Sequence, residues 1–271
     1  MTLGRGWLRA LLAALAILGL VVLPSCGGSS GDGGVSSSDV SQHVEIVVSA
    51  AADLSPVLAE IKPLFEKTTG VALKTNVGST GQLRQQIESG ARVDVFLAAS
   101  TAAIDQLAQK NLLLAGSAQI YARGRLAIWT RPGSSAAPKT LQDLTSADVR
   151  RVSIANPDHA PYGQAAKEAL ESAGLWEALQ PKLVPAENVL QAFQFAQTGN
   201  VDVGLVALSL VAKAEGTYEL VPETLHKPIS QEMAIIASST RQLESKQFIA
   251  FLTGDVGREI LKKYGFILPG E

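Results

Sequence analysis

Two hydroxyl residues, Ser79 and Thr80, lie between glycines in residues 78–81, directly before a predicted helix. Leu83 and Ile87 fall on one face of that helix, so hydroxyl and amide N–H groups collect at its N-terminus, where anions bind. A nucleotide-binding P-loop would end in Gly-Lys-Ser/Thr, whereas this turn ends in Gly-Gln. The turn therefore predicts a site for an anion other than a nucleoside triphosphate.

Three other predicted strand-to-helix junctions share this chemistry, since each offers free N–H groups and none contains Lys or Arg. They are residues 50–54 with Asp53, residues 160–163 with Tyr162, and residues 187–189 with Val189. Ligands of open α/β sheets bind beyond the carboxyl ends of strands, where these junctions lie. Charge-assisted hydrogen bonds contribute roughly 1.5–3 kcal/mol each and nanomolar binding needs about 12 kcal/mol, so a few neutral donors suffice for a dehydrated oxyanion. Each junction alone is also typical of an ordinary helix start.

An enzyme is the alternative interpretation of the same residues. The three histidines have no matching His/Glu spacing for a metal ion, and the sequence has no Gly-x-Ser-x-Gly nucleophile motif. Acid–base chemistry stays open for the carboxylates Asp53, Asp158 and Glu187. Carboxylates at helix starts usually interact with the helix dipole instead, so the pattern favours binding over catalysis.

The elements that must position these junctions alternate along the chain. Predicted strands cover residues 44–48, 71–75, 93–98, 126–130, 152–155, 201–206 and 233–237, and helical patterns follow most of them, including residues 162–173, 189–198, 242–253 and 256–264. This alternation predicts an α/β fold with mostly parallel sheets covered by helices on both faces. Pro63 lies inside the first helical pattern and predicts a kink or an early end there, because it removes a backbone donor.

The N-terminal segment has the features of an export signal. Two arginines precede an apolar run at residues 10–23, which is short for a membrane-spanning helix. The only cysteine, Cys26, follows where the sequence resembles a bacterial lipobox, so we expect a lipoprotein signal peptide over residues 1–26. Residues 27–42, rich in Gly and Ser, are expected to form a tether. A plain signal peptide with an incidental cysteine is the alternative.

The remaining residues, about 41–271, are enough for two modest α/β lobes or one large domain. The formal net charge of the chain is only −2 at pH 7, and no basic stripe is present. Nucleic-acid binding therefore has no electrostatic support in this sequence.

Several segments, taken in order, resemble the periplasmic molybdate-binding proteins of ABC importers. They are SAAADLSPVLAEI, GSTGQLRQQIESGARVDVFLAAS, IANPDHAPYGQAAKEAL, PAENVLQAF and GNVDVGLVALS. The resemblance covers about residues 44–269. It implies a type II periplasmic-binding-protein fold of two lobes, with residues 43–123 and 228–271 in lobe 1 and residues 124–227 inserted as lobe 2.

The same resemblance implies the ligand, the partners and the cellular location of the protein. The ligand would be molybdate or tungstate, held without a cofactor or a metal cation. The partners would be an ABC permease and its ATPase, with the protein acting as a lipid-anchored monomer on the extracytoplasmic face of the membrane. Phosphate or sulfate would be the alternative ligand, and a membrane-tethered enzyme a further alternative.

Site residues carry over position by position from this resemblance. Thr80 would donate to the oxyanion through its side chain and amide, with Ser79 beside it. The amides of Tyr162 and Val189 would contribute from the other lobe. Ala207 stands where one branch of the family has a ligand-binding tyrosine, and in this chain the tyrosine comes from position 162 instead.

Asp53 departs from the family pattern, since relatives have serine or asparagine at its position. A carboxylate facing a dianion would repel it unless it is protonated or held by backbone N–H groups. We therefore expect the N–H groups at the start of the first helix to hold Asp53 beside the anion. An acceptor in the site would suit an anion that carries a proton, such as phosphate, better than molybdate, tungstate or sulfate. Molybdate is still the expected ligand, because the resemblance over the whole chain outweighs this one position.

Overall fold

The computed structural model of the protein describes residues 44–271. The predicted signal peptide over residues 1–26, its Cys26 and the tether over residues 27–42 lie outside the described residues. Within residues 44–271, no helix is both long enough and apolar enough to span a membrane.

Strands and helices alternate through this part of the chain. The strands are β1 (Glu45–Ala51), β2 (Ala72–Gly78), β3 (Val95–Ala98), β4 (Gln119–Gly124), β5 (Leu126–Thr130), β6 (Val152–Ala155), β7 (Leu183–Ala186), β8 (Val203–Ala207), β9 (Thr217–Leu220) and β10 (Ile229–Ile235). The helices are α1 (Ser55–Thr69), α2 (Thr80–Glu88), α3 (Thr101–Gln109), α4 (Pro161–Ser172), α5 (Trp176–Leu179), α6 (Val189–Gln197), α7 (Leu208–Val211), α8 (Gln242–Thr253) and α9 (Asp255–Lys263).

The strands form two five-stranded sheets with one topology. Their orders are β2-β1-β3-β10-β4 and β7-β6-β8-β5-β9. In each sheet four strands run in the same direction, and the fourth in the order, β10 or β5, runs against both neighbours. The predicted α/β class, with two mostly parallel sheets flanked by helices, is confirmed.

The chain passes twice between the sheets. It leaves the first sheet at the end of β4 and enters the second at β5, with only Arg125 between the two strands. It returns through residues 221–228 to β10. We call the first sheet with α1 to α3, α8 and α9 the first lobe, and the second sheet with α4 to α7 the second lobe.

Each lobe has its own aromatic core. Phe65 of α1 packs edge-on against Phe248 of α8, with ring centroids 5.4 Å apart, and both rings are fully buried. In the second lobe Trp129 of β5 packs against Phe193 of α6 at 4.9 Å. Burying a side chain of this size stabilises a fold by roughly 1.5–3 kcal/mol, so these contacts hold the helices firmly against their sheets.

Of the two effects predicted for Pro63, an early end of the helix is wrong, because α1 continues without interruption to Thr69. The proline removes a hydrogen bond to the carbonyl of Ala59 four residues earlier. Both Ala59 and Pro63 lie on the exposed face of α1, where water can satisfy that carbonyl.

Candidate functional site

The four strand-to-helix junctions meet around one small cavity between the lobes. The first lobe contributes the junctions after β1 and β2, and the second lobe contributes those after β6 and β7. All of the residues predicted for the site line this cavity, namely Asp53, Ser79, Thr80, Tyr162 and Val189. The fold thus brings together groups that lie up to 136 positions apart in the sequence (53 to 189).

Thr80 is the first residue of α2 and is almost fully buried. Its Oγ1 accepts a hydrogen bond from the amide of Ala99 at 3.1 Å, which leaves the hydroxyl proton available for another acceptor. Its own amide lies in the first helical turn, so it has no partner within the helix. Thr80 can therefore offer two donors to an anion.

Ser79 lies beside Thr80, and its hydroxyl bonds to the other lobe. Its Oγ donates to the carbonyl of His159 at 2.5 Å, and it lies 2.8 Å from Nδ1 of the same residue. The amide of Gly81 also donates to that carbonyl, at 2.9 Å. A further bond between the lobes joins the side chains of Gln82 and Glu187 at 2.6 Å. The lobes are thus in contact beside the cavity, as expected for a closed arrangement.

Asp53 lies in the 3-10 turn Ala52–Leu54 that follows β1, and it is completely buried. Its Oδ2 accepts hydrogen bonds from the hydroxyl of Tyr162 at 3.0 Å and from Nε2 of Gln231 at 2.6 Å. Gln231 in turn accepts a bond from the hydroxyl of Tyr121 at 3.0 Å. Among the described residues, nothing within hydrogen-bonding geometry satisfies the second oxygen, Oδ1.

The predicted partners of Asp53 require a correction. We expected N–H groups at the helix start to hold the carboxyl, whereas its main partners are the side chains of Tyr162 and Gln231, from α4 and β10. The N–H groups of Asp53 and Leu54 lower its pKa by less than these two side chains do. The side chain of Asp53 thus bonds to both lobes, to Gln231 in the first and to Tyr162 in the second.

Burial dominates the ionisation of this group. It raises the pKa of Asp53 from 3.8 to about 6, against the opposing effect of the hydrogen bonds from Tyr162 and Gln231. Burial, followed by the negative charge of Asp53, raises the pKa of Tyr162 well above its usual value. Tyr162 therefore stays protonated and acts as a fixed donor to Asp53.

This raised pKa gives a stability prediction. The folded state binds more protons than the unfolded state between about pH 4 and 6, so stability falls as pH rises through that window. Two pKa units correspond to about 3 kcal/mol. We expect the Asp53→Asn variant without ligand to gain up to about 3 kcal/mol over the wild type between pH 4 and pH 7, the full gain applying to the closed arrangement in which Asp53 is buried. Urea denaturation of both proteins across this range measures the difference, and parallel pH profiles would contradict the prediction.

Tyr162 and Val189 present backbone amides from the second lobe. They lie in the first turns of α4 and α6, where N–H groups have no partner within the helix. The hydroxyl of Tyr162 is already bonded to Asp53, so its amide is the group left for a ligand. Gly124 makes room for this ring, because a Cβ at that position would lie 2.0 Å from the tyrosine oxygen.

The electrostatics of the cavity are unusual for an anion site. Of the residues in the range 44–271 that line it, none is Lys, Arg or His, and Asp53 is the one carboxylate. Helix N-termini carry partial positive charge, so α2, α4 and α6 favour an anion at their starts. Among residues 44–271 no cluster of three or more His, Cys, Asp or Glu side chains is arranged to hold a metal ion. The arrangement can bind a small anion through neutral donors.

Sequence reasoning missed three residues that organise the cavity: Gln231, Tyr121 and His159. Gln231 could have been identified from the sequence, because it is a polar residue close to the apolar run at residues 233–237, which is predicted to be a strand. It is completely buried in β10. A buried amide needs polar partners, which points to a nearby polar site.

Comparisons with known proteins agree with this geometry. A sequence model of the family described as "Bacterial extracellular solute-binding protein" matches residues 46–267. The molybdate-binding protein ModA of Rhodobacter capsulatus is 33% identical over 264 residues, which cover 96% of each chain. ModA of Azotobacter vinelandii is 36% identical over 233 residues, covering 83% of this chain and 90% of that protein.

A solved structure adds the fold to these sequence matches. The periplasmic molybdate-binding protein of Azotobacter vinelandii superposes with a TM-score of 0.79 at 31% identity, over 83% of this chain and 99% of the other. The shared fold and the family match over residues 46–267 together determine the family of this chain. The chain belongs to the bacterial extracellular solute-binding proteins.

Proposed function

We propose that the protein is the substrate-binding component of an ABC importer and captures molybdate, or its analogue tungstate, in the cavity between the lobes. The observation that carries this proposal is the convergence of strand-to-helix junctions from both lobes on a small cavity without a cationic side chain. The similarity to proteins named for molybdate binding supports the choice of anion.

In this proposal the anion is held by groups from both lobes. Thr80 donates through its hydroxyl and amide, and the amides of Tyr162 and Val189 donate from the second lobe. Ser79 stands beside them and closes the site by its bond to His159. Bonds to a charged acceptor contribute roughly 1.5–3 kcal/mol each, so four such donors would account for roughly 6–12 kcal/mol.

Selectivity follows from the size of the anion. A rigid ring of donors fitted to the larger molybdate tetrahedron would leave the oxygens of sulfate short of good hydrogen bonds. Tungstate, with nearly the same shape as molybdate, would bind similarly.

The mechanism is capture by hinge closure, without catalysis. Lobe 1 (residues 43–123 and 228–271) and lobe 2 (residues 124–227) would rotate about the connections between the sheets. Because donors from both lobes must converge, the ligand favours the closed state over an open one. The closed protein, a monomer, would then deliver the anion to a separate permease driven by its ATPase.

Attachment to the membrane completes the proposal. Cys26 would carry the lipid, and residues 27–42 would give the binding part freedom to move between the membrane and the solvent. A single acyl chain binds a membrane only marginally, so the proposal requires more than one chain at this end.

The proposal predicts tight binding of molybdate and tungstate by the purified full-length protein, with sulfate bound at least roughly 100-fold more weakly. Isothermal titration calorimetry against these anions and phosphate tests it. No heat with molybdate and a clear response to phosphate would replace molybdate by phosphate as the ligand, an outcome that the acceptor Asp53 would explain.

A further inference from the structure

Within the part of the chain that the structure describes, Asp53 is the one carboxylate that lines the cavity, and its two oxygens differ in their surroundings. Oδ2 already accepts two hydrogen bonds, from Tyr162 and Gln231. Oδ1 is buried and no described donor meets it in hydrogen-bonding geometry, while the N–H groups of Asp53 and Leu54 act on the carboxyl group only as weak influences that lower its pKa. Buried polar atoms are nearly always satisfied, so an unpaired oxygen at a ligand cavity indicates a partner that arrives with the ligand.

The chemistry of that partner follows from charge. An anion without a proton of its own, such as molybdate, offers only acceptors, and two acceptors cannot share a hydrogen bond. An ionised Asp53 would also face the dianion from a fully buried position, where like charges repel more strongly than in water. A proton on Oδ1 removes the charge and turns this oxygen into a donor to the anion.

We infer that the cavity binds a dianion together with one proton, and that the Oδ1 atom of Asp53 carries this proton toward the ligand. This inference rests on the proposed function, because it assumes that an oxyanion occupies the cavity. The proton comes from the solvent, and binding converts a carboxylate plus a dianion into a carboxylic acid hydrogen-bonded to the dianion. An anion that already carries a proton, such as hydrogen phosphate, would instead donate to the ionised carboxylate.

The groups that face Asp53 support this assignment. Tyr162 from α4 and Tyr121 from β4 are the titratable ones, and burial raises the pKa of both phenols well above the usual value, so neither supplies the proton. Gln231 from β10 is neutral, and Ser209 from α7 donates to the main-chain oxygen of Asp53 at 2.7 Å. Burial raises the pKa of Asp53 to about 6 in this closed arrangement, so the carboxyl group is mostly ionised at pH 8 and mostly protonated at pH 5.

Proton uptake on binding is the direct test. The full-length protein is titrated with molybdate by calorimetry at pH 5 and pH 8, in pairs of buffers that differ in ionisation enthalpy. We expect uptake of about one proton per anion at pH 8 and almost none at pH 5. Affinity should fall roughly tenfold per pH unit above pH 6, until the pKa of the bound state is reached.

The Asp53→Asn variant is the matched comparison, since it keeps the shape of the side chain and places a permanent donor at the cavity. It should bind without proton uptake, and its affinity relative to the wild type should rise roughly ten- to hundredfold between pH 5 and pH 8. Uptake that persists in this variant would assign the proton to another group and overturn the inference.

Failure of the inference is distinguishable from failure of the proposed function. Molybdate binding by the wild type at pH 8 without proton uptake would overturn the inference and leave the function intact. An absence of molybdate binding at either pH would overturn the function itself. If Asp53→Asn does not fold, the number of protons that the wild type takes up on binding molybdate still tests the inference, because that measurement needs no variant.

Discussion

Replacing Gly81 with alanine is expected to weaken molybdate binding roughly 10- to 1000-fold without destabilising the ligand-free protein. A Cβ at this position would lie 2.7 Å from the carbonyl oxygen of His159, which is backbone and cannot swing away. The closed contact would lose the bonds that the Gly81 amide and the Ser79 hydroxyl make to that carbonyl. Such bonds contribute roughly 0.5–1.5 kcal/mol each, and more where a close contact is also created.

The test is specific because stability without ligand and affinity for molybdate are expected to change in opposite directions. Gly81 lies in the first turn of α2, where alanine is favoured over glycine by up to about 1 kcal/mol. Thermal melting without ligand should therefore be unchanged or improved, while calorimetry shows weaker binding and small-angle scattering shows less compaction with molybdate. Gln85→Ala, an exposed change on the same helix, is the control and should alter neither. Wild-type affinity in Gly81→Ala would mean that binding does not depend on this contact.

Thr80→Ala is expected to weaken molybdate binding roughly 10- to 100-fold and also to destabilise the fold. The lost hydroxyl is a donor to a charged acceptor, which accounts for the loss of affinity. The same hydroxyl accepts the bond from the buried amide of Ala99, so the variant leaves that N–H without a partner. An unsatisfied buried amide costs about 1–3 kcal/mol of stability.

Thr80→Ser separates the hydroxyl from the methyl group. It keeps both hydrogen bonds and should restore most of the affinity, as measured by calorimetry in the same buffer. Equal losses in Thr80→Ser and Thr80→Ala would show that packing of the methyl group, and not the hydroxyl, determines binding.

The central strands were predictable from sequence because they are buried on both faces. Every residue of β5 and β6 is buried, and their predicted bounds, 126–130 and 152–155, match the structure. The strands β4, β7 and β9 were not predicted, and all three lie at sheet edges. Each of them contains exposed side chains, so none has the continuous apolar run that identifies a buried strand.

The parts of the site that consist of a few consecutive residues could be predicted from the sequence. A Gly-Ser-Thr-Gly turn and a helix start can be identified within a few residues, and these segments do line the cavity. The partners of Asp53 could not be identified this way, because Gln231 lies 178 positions further along the chain. Its contact with Asp53 depends on β10 pairing with β3, a relation that no local pattern encodes.

The place of β10 in the first sheet also constrains the order of folding. β4 contacts the rest of that sheet only through β10, which lies near the end of the chain. The second sheet is instead built from one continuous segment, residues 126–220, so its pairings close shorter loops and can form first. The lobe that begins the described chain is thus the one completed last, and until Ile229–Ile235 inserts, β3 and β4 present unpaired edges that are open to aggregation.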